Sequence, residues 1–530
     1  MAADYRIPTR RRRGNISSFR VLSPNKGLNT IVPDTDITEL ESPALNNIDY
    51  VETGNPSTRK GRVQYCNIDP DGAADGMFPF YRHQSSTHLL RLSGTSLKTI
   101  NEITGAITTI TGKTFTADRV TMGVVADGAI KILNGTDIAG SFDGTTLSTP
   151  STQLPLAFGI WHKGYFIGGG HPNHPNRLYW SDINKPDDFT EGAASSAGTQ
   201  NIDKDDGDRL TGIGLWGDTI VLFKERAIYQ IDISTIATTK AVSVKNIIKG
   251  IGCVSHRTIR PVDNDLFYLS RGGVYVIGNE ANFLSAIRTN ELSLRARKVI
   301  DQITPSNYNR CHAEYVDFKY ILSVPLGGVV GNSHLIIYDK KYQAWTVWSN
   351  QTFADLVRYI DRNNAEILLA ADSVNGKTYQ LFQSETDDGA AIDCYWYSKR
   401  YNLKSFDEFK RWFDVTLLFR SVTGVISIDI IVDNFIISKK VYIGNVNALA
   451  SGIGVKEWGL VEVGTDGVTS EVGAPETIVD IVKRIKVNRP GRAIQIKVST
   501  NSVNDRFVLT GYNVTYYNYG HFKFPSSDKL

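Results

Sequence analysis

Three observations make this an all-β chain. β-Branched and aromatic residues fall in short runs rather than at helical spacing. Those runs are bounded by Gly, Asn and Asp, and Gly alone accounts for 46 of 530 residues, which supplies the tight-turn geometries that joined short strands need. Strand–turn–strand units also recur loosely every 35–55 residues or so, the period of propeller blades. The expected architecture is a β-propeller of about six blades, with an N-terminal strand segment and a C-terminal β-sandwich.

The composition narrows the function classes. A chain of 530 residues has room for two or three domains. A net charge of +3 excludes a molecule that is strongly basic throughout. Cys66, Cys253, Cys311 and Cys394 lie far apart without C-x-x-C spacing, so buried reduced thiols of a cytoplasmically made protein are expected rather than zinc or disulfides. No run approaches the ~20 apolar residues of a spanning helix, and no apolar stretch follows the N-terminal charges as in a signal peptide.

Residues 1–26 form a basic arm. They hold seven Lys or Arg against the single acid Asp4, leaving the remainder of the chain near −3. The consecutive Arg10, Arg11, Arg12 and Arg13 repel one another and are candidates for contact with DNA phosphates or an acidic partner; a solvated tail is the alternative. Residues 27–76 are an N-terminal strand and assembly segment, with a short helical turn within 36–46, a strand at Ile48 to Val51 and a turn at Thr53-Gly54-Asn55-Pro56.

The propeller is expected over 77–385. Its units centre on Leu89 to Ile110, Val120 to Gly144, Gly159 to Trp180, Leu215 to Ile231, Leu266 to Ile277 and Tyr320 to Trp348, with a closing segment over Ile367 to Phe382. An insertion helix with a basic face (Arg288, Arg295, Arg297, Lys298) is expected near 289–303. From 386 to 530 the strands lengthen and alternate, as in Ile426-Ser427-Ile428-Asp429-Ile430, which predicts an antiparallel sandwich. The Gly-rich segment from Ala448 to Pro475 is an excursion loop within it.

Candidate sites are weak one by one. Asp203-Lys204-Asp205-Asp206-Gly207-Asp208 resembles the start of a calcium loop, but its Gly comes one place early and Gly214 stands where a bidentate Glu is needed. His171 and His174 lack a clear third metal ligand. Gly168-Gly169-Gly170 is not followed by Lys-Ser/Thr, and Gly212 and Gly214 lack a third glycine and a βαβ context. There is no G-x-S-x-G elbow; Ser255-His256 and Cys311-His312 are adjacent pairs, which does not place a base on its neighbour. Asp187-Asp188 and Asp387-Asp388 sit in turns. Enzyme chemistry, cofactors and metals are therefore not expected.

Several segments in a fixed order carry a resemblance. They are Gly27-Leu28-Asn29-Thr30 with Ala44-Leu45-Asn46-Asn47-Ile48-Asp49 and Arg59-Lys60-Gly61; Asn176-Arg177-Leu178-Tyr179-Trp180-Ser181-Asp182 with Pro186-Asp187-Asp188-Phe189; Val221-Leu222-Phe223-Lys224-Glu225-Arg226; and Gly250-Ile251-Gly252-Cys253 with Leu269-Ser270-Arg271-Gly272-Gly273. Together, over most of 24–385, they resemble the tail nozzle proteins of short-tailed bacteriophages, also called tail tubular protein B or packaged-DNA stabilisation protein. The resemblance implies a structural virion protein made in the host cytoplasm. It implies a homo-oligomeric ring, commonly a hexamer, below the portal and its adaptor. It further implies fibre or spike partners, double-stranded DNA passing through the channel, and no membrane insertion. The four-arginine arm departs from the family pattern. Two other readings stand beside it. One is a receptor- or carbohydrate-binding propeller of a fibre or baseplate, in which Trp161, Tyr179, Trp180 and Trp216 would stack on sugars. The other, a propeller hydrolase, lacks a nucleophile motif.

Overall fold

The computed structural model describes residues 16–51, 53–81, 88–203, 205–279, 287–329, 331–403, 405, 407–443, 481–503 and 505–520. The chain divides into two compact units. One spans Lys60–Ala390, and the other joins Met1–Arg59 to Ala391–Leu530. Arg10 to Arg13, most of the arm and the Ala448–Pro475 segment lie outside the described residues.

The Lys60–Ala390 unit is a propeller of seven four-stranded blades. The first strands of the blades are Ala74–Phe80, Met122–Ala126, Phe158–His162, Leu210–Trp216, Arg260–Val262, His312–Val316 and Phe353–Ile360. Each of these neighbours the next, and the last neighbours the first, so they form the closed inner ring. Middle strands are apolar on both faces because blades stack on either side of them; Leu89, Leu90 and Leu92, then Val221, Leu222 and Phe223, are fully buried. The inter-blade layers are continuous cores. Phe78, Phe80 and Leu90 meet Ile130, Ile132 and Phe142 between blades one and two, and Met77 and Leu89 meet Tyr359 and Leu369 between seven and one.

Seven blades replace the six expected. The closing segment supplies only the two middle strands of blade seven, Glu366–Asp372 and Thr378–Ser384. Its outer strand is Gly61–Gln64, paired to Thr378–Ser384 from the other end of the unit. For the same reason the propeller begins at Lys60 rather than 77 and ends at Ala390 rather than 385. The helix expected near 289–303 is also corrected. Ile287–Glu291 is the outer strand of blade five, and the helical part is confined to the 3₁₀ turn Leu294–Ala296 and the α-helical turn Arg297–Ile300 that follows it. Of its basic residues, Arg297 pairs with Glu291 at 2.7 Å and Asp301 at 3.2 Å. Residues 36–46 form turns and a short strand rather than a helical turn.

A buried charge cluster locks the seam between the first and last blades. Asp69, on the connection from Gly61–Gln64 into blade one, forms an ion pair with Arg91 Nε at 3.1 Å and accepts from Ser93 and from Lys98. Arg91 also donates to Thr378 Oγ1 of blade seven at 2.8 Å and to the Gly72 carbonyl at 2.8 Å. The Asp69, Arg91 and Lys98 side chains are almost wholly removed from solvent.

In the other unit, N-terminal and C-terminal segments interleave. Ser17–Leu22 pairs with Arg506–Gly520, and Leu45–Asn46 with Cys394–Tyr397. Residues 17–22 therefore belong to a sheet and not to the arm. The organising element is Phe409–Val432, 24 residues long. Its first half lies between Ile481–Gly491 and Arg506–Gly520; its second half lies between Phe435–Ile443 and Ile494–Thr500. Trp412, then Val415, Leu417 and Phe419, then Ile426, Ile428, Ile430 and Val432 are its buried apolar residues. The alternation changes phase where the pairing register shifts, between Trp412 and Asp414 and again between Leu418 and Ser421, because a bulge turns every later side chain to the other face. Gly424 lies just beyond, at φ +76°, where a Cβ would sit 1.7 Å from Asp505 Oδ1. Side chains of the two resulting sheets meet inside, with the Trp396 and Tyr512 rings 6.0 Å apart and the Tyr401 and Tyr512 hydroxyls 2.6 Å apart.

Removing the Asp69 carboxylate leaves two buried cations without their shared partner, so Asp69→Ala is expected to cost about 3 kcal/mol of unfolding free energy in urea titration. A cost below about 1 kcal/mol would show that the cluster does not hold the seam. Burial alone would raise the Asp69 pKa, but Lys98, Ser93, the Asp71 N–H and Arg91 outweigh it and hold the carboxyl below the usual range. The folded state thus binds this proton less readily than the unfolded chain. The stabilisation is present above the ordinary Asp value of about 4 and is lost as pH falls through the folded value.

Candidate functional site

A cavity in the propeller lies where blades two to six converge at the starting ends of their inner strands. It encloses about 410 Å³. Asp118, Arg119 and Met122 come from blade two, Phe158, Gly170 and His171 from three, Arg209 and Thr211 from four, His256 and Arg257 from five, and Arg310 from the entry to six. Gly170 is required here: at φ +74° its Cβ would meet Ala157 Cβ at 2.6 Å and the Phe158 ring at 3.0 Å.

Below this cavity sits a buried network joining blades five, six and seven. Arg257 lies 3.2 Å from Asp355 and donates to the Ala354 carbonyl at 2.6 Å. Arg260 Nη2 lies 2.8 Å from His312 Nε2, and His312 Nδ1 sits against Asp355 Oδ1 with Arg257 Nη2 at 3.1 Å and the Leu356 N–H at 3.2 Å beside it. Asp355 Oδ2 accepts the Met77 N–H at 2.8 Å, carrying the network into blade one. Burial lowers the His312 pKa to about 4 despite the adjacent carboxylate. Burial acts the opposite way on Asp355, but Arg257, His312 and the Met77 N–H bring it down to about 2. A neutral imidazole between an ionised Asp and two guanidiniums is a structural tie.

The cavity wall differs. Burial, then the guanidiniums of Arg260 and Arg257, lower the His256 pKa to about 3, so the ring is neutral. It stacks on Phe158 at 5.4 Å, and its Nδ1 accepts the Ile213 N–H at 3.2 Å, leaving an N–H on Nε2. Beside the cavity, burial and the Asp118 carboxylate push Asp75 up to about 6, against the opposing pull of the Asp118 N–H, Arg310 and Arg257.

The sequence candidates fall elsewhere or into structural roles. Ser255 Oγ donates to the Cys311 carbonyl at 2.9 Å, so Ser255-His256 is not a nucleophile–base pair. All four cysteines are free and buried, and burial pushes the Cys253 thiol up to about 12 and the Cys311 thiol further. The His171 and His174 rings stand 5.2 Å apart, with His171 also against Tyr179 at 5.5 Å. Among the described residues, no group of three His, Cys, Asp or Glu is placed to hold a metal.

The acidic turns are occupied by lysine. Lys224 Nζ donates to both Asp206 carboxylate oxygens at 2.8 and 2.7 Å and to the Asp203 carbonyl at 2.9 Å, with its side chain fully buried. An ammonium therefore fills the calcium-like loop. Lys131 does the same for Asp187 at 2.6 Å, and Lys377 for Asp388 at 2.6 Å. The Trp180-Ser181-Asp182 motif is a blade device. Asp182 accepts from Lys185 at 2.8 Å and from the Ser196 N–H at 2.8 Å, while Trp180 is buried and donates to the Ser196 carbonyl at 2.9 Å. Of the four aromatics proposed for sugar stacking, Tyr179 and Trp180 are core residues.

Sequence reasoning missed Asp75, Arg119 and Arg310. No spacing relates them; they meet because blade closure brings distant strand starts to one axis.

No protein-family model matches the chain, and no curated protein matches it. Among solved structures, BBS1N in complex with ARL6DN is similar at 9% identity and a TM-score of 0.36, over 62% of this chain and 99% of that one. PorZ, a surface component of the type-IX secretion system of Porphyromonas gingivalis, is similar at 10% identity and 0.35, over 67% of this chain and 44% of that one. The extracellular domain of the one-component system BT4673 from B. thetaiotaomicron is similar at 12% identity and 0.37, over 74% of this chain and 49% of that one. The chain spans less than half the length of the last two. None of the three is described as a phage tail protein.

Because Lys224 holds the Asp203–Asp206 turn, millimolar calcium is expected to leave the melting temperature unchanged. A rise of several degrees, by scanning fluorimetry, would show that the loop takes a divalent ion after all.

Proposed function

We propose that this chain is a structural, non-catalytic subunit of a short-tailed phage tail. In this reading it is one copy of a homo-oligomeric nozzle ring that extends the portal–adaptor channel, retains packaged DNA, conducts it on ejection and anchors fibres or spikes. The observation that carries the reading is the open side of the long sandwich strand. Phe435–Ile443 and Ile481–Gly491 lie in line along it, and among the described residues neither pairs with a further strand. Phe435, Ile436 and Val482 on these strands are more than 60% exposed. Exposed apolar residues on an uncovered sheet edge suit burial by a neighbouring copy. The order of the nozzle-like sequence segments supports the tail assignment. The lysine-filled acidic turns support a rigid, non-catalytic body.

Negative-stain microscopy with light-scattering mass on the full chain, alone and mixed with virion lysate, tests this. Closed rings, or labelling along the axial tail, are the expected result. A monomer that binds cells or glycans and never joins the axial tail would overturn it.

The basic arm is expected to contact DNA or the adaptor. Removing residues 1–15 spares the Ser17–Leu22 strand and should weaken that docking and its salt dependence. Unchanged docking of the truncated chain would assign the arm no part in assembly.

A further inference from the structure

We propose that the axial cavity of the propeller binds an oxyanion, the carboxylate or phosphate group of a small polar ligand, between Arg119 and Arg310. This goes beyond the ring reading and does not rest on it.

Four guanidiniums line the cavity, and two are already committed. Arg209 lies 3.0 Å from Glu225, and Arg257 lies 3.2 Å from Asp355. The side chains of Arg119 and Arg310 make no hydrogen bond or ion pair with described residues, although both border the same space. They approach from different blades, as a clamp on one anion does. The Nε2–H of His256 adds a neutral donor, since its Nδ1 is occupied by the Ile213 N–H. The Phe158 and His256 rings, stacked at 5.4 Å, supply an apolar surface beside the donors. A volume of about 410 Å³ falls in the ordinary range for small-ligand sites.

The two carboxylates set a pH dependence. Asp75 faces Asp118, Arg310 and Arg257, and Asp118 borders the cavity with Arg119. With both acids ionised they offset the two uncommitted guanidiniums. Protonating Asp75 removes one negative charge next to Arg310, so anion binding strengthens as pH falls through about 6.

The experiment is calorimetric titration of the full chain with glucuronate and with inorganic phosphate, on either side of pH 6. The proposal expects saturable binding of at least one probe, tighter at the lower pH. Arg119→Gln and Arg310→Gln should each weaken it about tenfold or more, with melting temperatures little changed because neither side chain makes a hydrogen bond or ion pair with described residues. Asp75→Asn should flatten the pH dependence. Binding of glucuronate alone assigns a carboxylate ligand; binding of phosphate alone assigns a phosphate ligand. Absence of saturable binding of both probes, or binding indifferent to both arginine substitutions, overturns the proposal. These outcomes are separate from ring formation, which neither arginine substitution should alter.

Discussion

One buried carboxylate, Asp69, sits where the propeller closes. A ring of blades must be closed by segments from opposite ends of the unit, and that closure carries a chain-entropy cost that local contacts do not offset. The outer strand Gly61–Gln64 and the three strands of blade seven meet across this gap. Asp69 follows directly, and its bonds to Arg91, Ser93 and Lys98 place a charged knot where blade one meets blade seven. Arg91 extends the knot to the Lys377 carbonyl and Thr378. Buried charges gain little over well-packed apolar groups but are costly to break singly, which fits a role in fixing which strands pair at the seam.

The same device recurs around the ring. Lys131 with Asp187, Lys224 with Asp206, and Arg257 with Asp355 each join neighbouring blades or a blade to its connecting loop. Acidic turns that look like metal or catalytic sites in isolation are thereby neutralised internally. What is left uncommitted is informative by contrast. Arg119 and Arg310 border the axial cavity without a hydrogen bond or ion pair to described residues, and the sandwich unit presents two edge strands with exposed apolar residues. The first suits a small anion, the second a protein surface.

Much of the architecture was legible in sequence because strand periodicity and turn chemistry are local. Val221-Leu222-Phe223 and the Ile426 to Ile430 alternation identify a doubly buried strand and a half-buried one without any tertiary information. The seventh blade was not legible, since its outer strand lies next to blade one in sequence and next to Thr378–Ser384 in space. Of the helix expected near 289–303, residues 294–300 are helical and the start is not, because Ile287–Glu291 pairs into blade five, tertiary pairing overriding helical spacing there. The axial cavity had no sequence signature at all. Its residues are single positions at the starts of strands, brought together by the ring, and the residues that drew notice, Asp203 to Asp208, proved to hold a lysine.

The most direct test of this account is blade-resolved amide hydrogen exchange on Asp69→Asn beside the native chain. If the Asp69 cluster fastens the ring, protection falls first in Gly61–Gln64, Thr378–Ser384 and Ala74–Phe80, and blades three to five keep theirs until global unfolding. Loss of protection starting at another blade boundary, or no change at the seam, would contradict the claim that this carboxylate closes the propeller.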